Sequence, residues 1–150
     1  AKNVAGDLSV ANALLSRSDL TEEQRAELTL LKGKLYQRAG QTREALESYA
    51  KLKKMTNSVY GAEAIVLYAD LLMKSGRPAE VEPWLKGFVS SGTSQTYWLA
   101  RAFLSLADSY EAQGDIYMAK QYVESLQDNY TGEEADIKDM ISTRLKRYNK

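Results

Sequence analysis

FLSLADSYEAQGDIYMAKQYVESL, Phe103–Leu126, carries one helical pattern up to Gly114-Asp115 and a second one after it. Ala107 and Tyr110 share a face of the first pattern, and Ala119 and Val123 share a face of the second, as a 3.6-residue period requires. Gly114 stands between them, where a residue free to adopt positive φ can end a helix and let the chain reverse tightly. The stretch predicts two antiparallel helices that approach closely over a small side chain.

The arrangement recurs twice upstream. Leu30–Leu52 reads LLKGKLYQRAGQTREALESYAKL about Gly40, and Ile65–Phe88 reads IVLYADLLMKSGRPAEVEPWLKGF about Gly76. The three pivots lie 36 and 38 residues apart, near the period of about 34 of tetratricopeptide helix pairs. Seven residues before each pivot stands a small residue (Gly33, Ala69, Ala107), and three residues later a large one (Tyr36, Leu72, Tyr110). Beyond the pivots, Ala45, Val81 and Ala119, then Tyr49, Leu85 and Val123, form the inward stripe of each second helix.

The flanks continue the pattern. Val4, Leu8, Ala11, Leu14 and Leu15 mark a helix read as the second member of an earlier, truncated pair, and Thr21 with Gln24 forms a capping box opening the next helix. Thr131 with Glu134 forms a second capping box, ahead of the apolar stripe Ile137, Met140, Ile141, Leu145 and Tyr148. That last helix is expected to cover the final repeat, since an array buries each face only against its neighbours.

Residues 1–150 are thus expected to form a single all-α domain, an α-solenoid (right-handed superhelix) of about eight antiparallel helices. Its parts are a remnant helix at 1–16, pairs at 21–54, 57–90 and 94–128, and a capping helix at 132–148. Composition agrees: Ala and Leu supply 37 residues, Val and Ile only 11, with 2 Pro and 9 Gly in 150 residues. At this length no disulfide or metal staple is needed for stability.

These residues resemble the tetratricopeptide repeat family from about Ala26 to Tyr130. Phe103, Ala107, Tyr110, Gly114-Asp115, Ala119 and Leu126 match its consensus in type and spacing, whereas the second segment departs from it at Val81 and lacks the usual proline after its second helix. From Tyr97, YWLARAFLSLADSYEAQGD with the later ESLQDNYTGEEADIKDMISTRL also resembles the C-terminal end of large Bacteroidetes tetratricopeptide proteins. That resemblance, with a start at Ala1 rather than Met, implies a fragment of a longer chain in the periplasm or at the outer membrane.

The chain has no His and no Cys, which removes zinc sites, Ser-His-Asp and Cys-His nucleophiles and thiol redox chemistry. Gly33-Lys34 ends like a phosphate-binding loop, but Leu28 and Leu35 stand where glycine and Ser or Thr are needed. Glu22-Glu23 and Glu133-Glu134 read as first-turn carboxylates complementing helix dipoles. Arg144, Lys146, Arg147 and Lys150 read likewise as last-turn cations. No catalytic residue, metal site or cofactor is predicted, and the chain is not expected to be an enzyme.

Twenty basic against twenty acidic residues give a net charge of zero, which disfavours nucleic acid as a partner, base reading by a pentatricopeptide-like array included. No apolar run approaches the roughly 18 residues of a membrane-spanning helix. The ten Tyr, with Trp84 and Trp98, are read as packing residues.

The family resemblance implies a concave groove lined by the first helix of each pair, where a peptide or partner helix binds. The groove positions are Glu27, Leu30, Lys34, Gln37 and Arg38; Glu63, Val66, Asp70, Met73 and Lys74; and Arg101, Leu104, Asp108, Glu111 and Ala112. They predict an apolar floor at Leu30, Val66 and Leu104 and a charge gradient from Lys34 and Arg38 to Asp70, Asp108 and Glu111. The Lys and Asn clamp that chaperone-binding members use on a terminal carboxylate has no counterpart at the floor. The competing reading is that curvature or a preceding repeat covers these apolar residues. The expected function is a noncatalytic protein-interaction scaffold; the alternative is a structural element that stacks through its ends on further repeats or on another copy.

Overall fold

A computed structural model of the chain describes residues 3–150, so the first two residues of the predicted 1–16 helix lie outside the described residues. Eight helices follow one another: α1 (Val4–Leu15), α2 (Glu22–Arg38), α3 (Thr42–Ala50), α4 (Val59–Lys74), α5 (Val81–Val89), α6 (Thr96–Ala112), α7 (Ile116–Asn129) and α8 (Ala135–Tyr148). No strand occurs among the described residues, and the fold is the expected all-α, solenoid-like one. The chain divides into two compact units, Ala1–Leu71 and Leu72–Lys150, with the boundary inside α4.

The predicted pivots end their helices by one mechanism. Gly40, Gly76 and Gly114 have φ of 77°, 73° and 83°, the left-handed region that L side chains rarely adopt. The amide one residue further on then reaches back to the last turn: Gln41 to the Tyr36 carbonyl at 2.9 Å, Arg77 to Leu72 at 2.9 Å, Asp115 to Tyr110 at 2.8 Å. This six-residue closure satisfies a carbonyl the helix would leave without an intrahelical partner.

In the first unit, Thr21 caps α2 as expected. The Gln24 amide donates to Thr21 Oγ1 at 3.0 Å while the Thr21 amide donates to Gln24 Oε1 at 2.8 Å. Arg25 then ties α2 back to α1, donating to the Leu15 carbonyl at 2.9 Å and to that of Arg17. The α2–α3 hairpin closes over Gly33: a Cβ there would stand 2.3 Å from Tyr49 Cε1, and Tyr49 is 0% exposed. Its hydroxyl donates to Gln37 Oε1 at 2.8 Å, so the buried ring keeps a satisfied polar tip. Burial, followed by the nearby Glu63 charge, pushes the Tyr49 phenol well up.

The second unit opens with the irregular repeat. A 3₁₀ turn, Pro78–Glu80, precedes α5, and Arg77 grips Glu80 with two hydrogen bonds of 2.7 Å. The Arg77 hydrogen bond holds the Glu80 carboxyl below its usual range. Further on, α6, α7 and α8 share one core of Ala100, Leu104, Ala107, Ala119, Val123, Leu126, Ile137 and Ile141. Tyr122 joins α7 to α6, its ring 5.6 Å from Tyr110 in a stack and 5.8 Å from Phe103 edge-on.

The second predicted capping box does not form. Glu134 is itself the N-cap of α8, which starts at Ala135, and makes no side-chain cap hydrogen bond. Its carboxylate instead accepts the Tyr130 hydroxyl, so residues 131–134 stay outside the helix. The apolar stripe of α8 is placed as expected, with Ile137 and Ile141 buried and Met140, Leu145 and Tyr148 packed beside them.

Candidate functional site

The predicted groove positions divide between the two units and meet different fates. Leu30, Val66 and Leu104, the expected floor, are 4%, 0% and 2% exposed. They are core side chains rather than an open floor, because the rotation of each helix turns them inward. Leu104 lies in the cluster that also holds Ile137 and Ile141 of α8.

Within the first unit, Lys34 Nζ lies 2.6 Å from Glu63 Oε2, which joins α2 to α4 by a partly exposed ion pair. Gln37 is engaged by Tyr49, and Arg38 is exposed in the last turn of α2. Asp70 is half-buried. A shallow concavity of about 290 Å³ lies here, lined by Glu27, Leu28, Leu30, Leu31, Lys34, Tyr60 and Glu63. Leu31, which was not among the predicted residues, is 41% exposed and supplies its accessible apolar surface. The helical spacing of the stripe put Leu30 forward and Leu31 aside; the fold reverses the two.

Within the second unit, Met73 is half-buried, Lys74 and Ala112 are exposed, and the acidic positions are taken by the chain itself. Arg144 of α8 grips Asp108 through Nε at 2.7 Å and a terminal nitrogen at 2.8 Å. Arg147 grips Glu111 in the same way at 2.7 and 2.6 Å. Near the start of both helices, Arg101 donates to the Tyr97 hydroxyl at 3.1 Å, and that hydroxyl donates to Asp136 at 2.6 Å. The Arg101 guanidinium also lies 5.5 Å from the Trp98 ring centroid and 5.9 Å from that of Tyr97. Two of the four last-turn cations read from sequence as dipole partners, Arg144 and Arg147, are thus partners of α6.

The Arg147 hydrogen bond holds the Glu111 carboxyl below its usual range. A lowered folded-state pKa contributes stability above the unfolded value of about 4.3, lost as pH falls through the folded value. The wild type should therefore exceed Glu111→Gln in unfolding free energy, measured by urea titration near neutral pH, by about 1 kcal/mol or less after solvent screening. That margin should close in acid, so a margin unchanged between pH of about 7 and about 2.5 would refute the pairing.

No cluster of three or more Asp or Glu that could hold a metal ion occurs among the described residues. Among the described residues, no helix is long and apolar enough to cross a membrane. The arrangement offers surfaces, ion pairs and packing.

The helix pair α6–α7 is where the chain meets a known family: residues 100–128 match the tetratricopeptide repeat. Tetratricopeptide repeats generally mediate protein–protein interaction. No curated protein and no solved structure matches the chain.

Proposed function

We propose that this chain is a noncatalytic interaction scaffold, with the pairs at 21–54, 57–90 and 94–128 as its repeats, and that the first unit presents the surface a partner meets. The observation that carries this reading is the concavity between α2 and α4, where exposed Leu31 sits beside Tyr60 and the Lys34–Glu63 pair. An apolar anchor flanked by one cation and one anion suits an amphipathic helix or an extended peptide that inserts one apolar side chain. Such a partner would be oriented by charge along the cleft. The acidic positions Asp108 and Glu111 leave this reading because Arg144 and Arg147 already occupy them.

The test is a peptide library selected on the wild-type chain, with binding of the enriched sequences measured by calorimetry. Leu31→Ser with Lys34→Glu should weaken them at least about tenfold while the far-ultraviolet circular dichroism stays unchanged, since both side chains are substantially exposed. Equal affinity for wild type and variant would rule out this surface.

A further inference from the structure

We propose that the outward face of α8, against the end of α7, receives helix α1 of a second copy of this chain, antiparallel to α8, so that copies join head to tail. The inference is independent of the groove reading, because it uses neither the α2–α4 concavity nor its residues.

The argument begins with which kind of helix α8 is. Its polar links to α6 run in the same order along both helices: Tyr97 to Asp136, Asp108 to Arg144, Glu111 to Arg147. Hence α8 lies parallel to α6, in the place of the first helix of a further pair, with α7 antiparallel between them. In α6, the face bearing Ala100, Phe103 and Ala107 carries its own second helix, α7. The α8 residues 38 positions later, Lys138, Ile141 and Leu145, occupy the corresponding face, and 38 is the spacing from Gly76 to Gly114. There the structure has a concavity of about 540 Å³, floored by Ile141, Leu145 and Tyr130 and rimmed by Lys138, Ser142, Lys146 and Asn149. The concavity lies where the second helix of a pair begun by α8 would sit.

The first unit presents the reciprocal feature. Helix α1 precedes α2 as a second helix precedes the next first helix, and it buries Ala11. The face beside Ala11 carries Val10 at 60% exposure and Leu14 at 36%, with Asp7 on the same helical row. Asp7 is the only charge in a 12-residue helix whose apolar residues are far from all covered. That composition suits a helix seated against another rather than one facing water.

Charge fixes the direction. The second helix of a pair runs antiparallel to the first, so α1 would enter with Asp7 beside Lys146 and leave with its C-terminal carbonyls beside Lys138. Both contacts are favourable, the second through the helix dipole. At 1.5 Å per residue the 12 residues of α1 span about 18 Å and the 14 of α8 about 21 Å, so the lengths match. The contact uses two different patches and is therefore heterologous.

Light scattering and sedimentation across about a hundredfold range of concentration test this, using the full chain. The wild-type mass should rise above the 16.8 kDa of one chain as concentration increases. Val10→Lys blocks the α1 face and Ser142→Arg blocks the α8 seat, both at exposed positions, and each alone should stay at the mass of one chain. Mixed, they should form a one-to-one dimer, because each retains the end the other has lost. Asp7→Lys should weaken wild-type self-association about tenfold, and adding Lys146→Glu should restore it. Circular dichroism checks that each variant folds, with Leu14→Lys in place of Val10→Lys if that one does not. A wild type that stays at one-chain mass throughout, single variants that still associate, or a mixture that does not dimerise would each overturn the proposal.

Discussion

Leu30→Ser, Val66→Ser and Leu104→Ser combined in one chain should abolish the cooperative thermal transition and most of the helical circular dichroism signal at 25 °C. The three side chains are 4%, 0% and 2% exposed, so each substitution removes a buried aliphatic group and leaves a hydroxyl in its place. Truncating a buried Leu costs about 2–5 kcal/mol, and an unsatisfied buried hydroxyl adds about 1–3 kcal/mol. Three such losses exceed the roughly 5–15 kcal/mol that separates a folded domain from its unfolded state. An open groove floor predicts the opposite, a fully helical variant that has lost only its partner. A triple variant that melts within a few degrees of wild type would show that these residues face solvent.

Tyr49→Ala should be the most damaging single substitution in the first unit. Tyr49 is fully buried, packs over Gly33 and satisfies Gln37. Removing a buried aromatic ring costs about 3–5 kcal/mol through lost burial and the cavity left behind. Gly33→Ala, by contrast, sets two effects against each other. Alanine favours the helix by about 1 kcal/mol, but its Cβ would stand 2.3 Å from the Tyr49 ring, a distance real Cβ atoms do not show. The ring has no solvent into which to swing, so overpacking wins, at about 1–3 kcal/mol net loss. Together the two substitutions should be milder than their sum, because the added methyl group enters space the ring has vacated. Urea titrations of the four proteins measure this as a coupling energy, expected at about 1 kcal/mol or more. Strict additivity would mean that Gly33 and Tyr49 do not meet.

The repeat was legible because its determinants are local. Helix ends at Gly40, Gly76 and Gly114 depend on one residue each, and the stripes on either side depend only on spacing along a helix. Even the irregular segment showed itself, since Val81 and the lack of the usual proline after the second helix depart from the pattern in the repeat where a 3₁₀ turn precedes α5. Capping was legible only in part. Thr21 and Gln24 meet no competitor and form their box, whereas Glu134 is drawn off by the Tyr130 hydroxyl.

The surface was less legible. Leu30 and Leu31 differ by one residue and about 100° of helix rotation, and a small turn of α2 decides which is core and which is exposed. Asp108 and Glu111 looked like an acidic lining until α8 set arginines on them from 36 residues away. Neither outcome can be computed from a single helix.

From sequence alone follow the all-α class, the succession of eight helices, the pivots and the absence of histidine and cysteine chemistry, because each rests on residue type and short-range spacing. Tertiary structure alone decided which apolar residues remain accessible and which charges are already paired. Those outcomes depend on where one helix sits against another, and pairing between helices is set by packing between residues far apart in the chain.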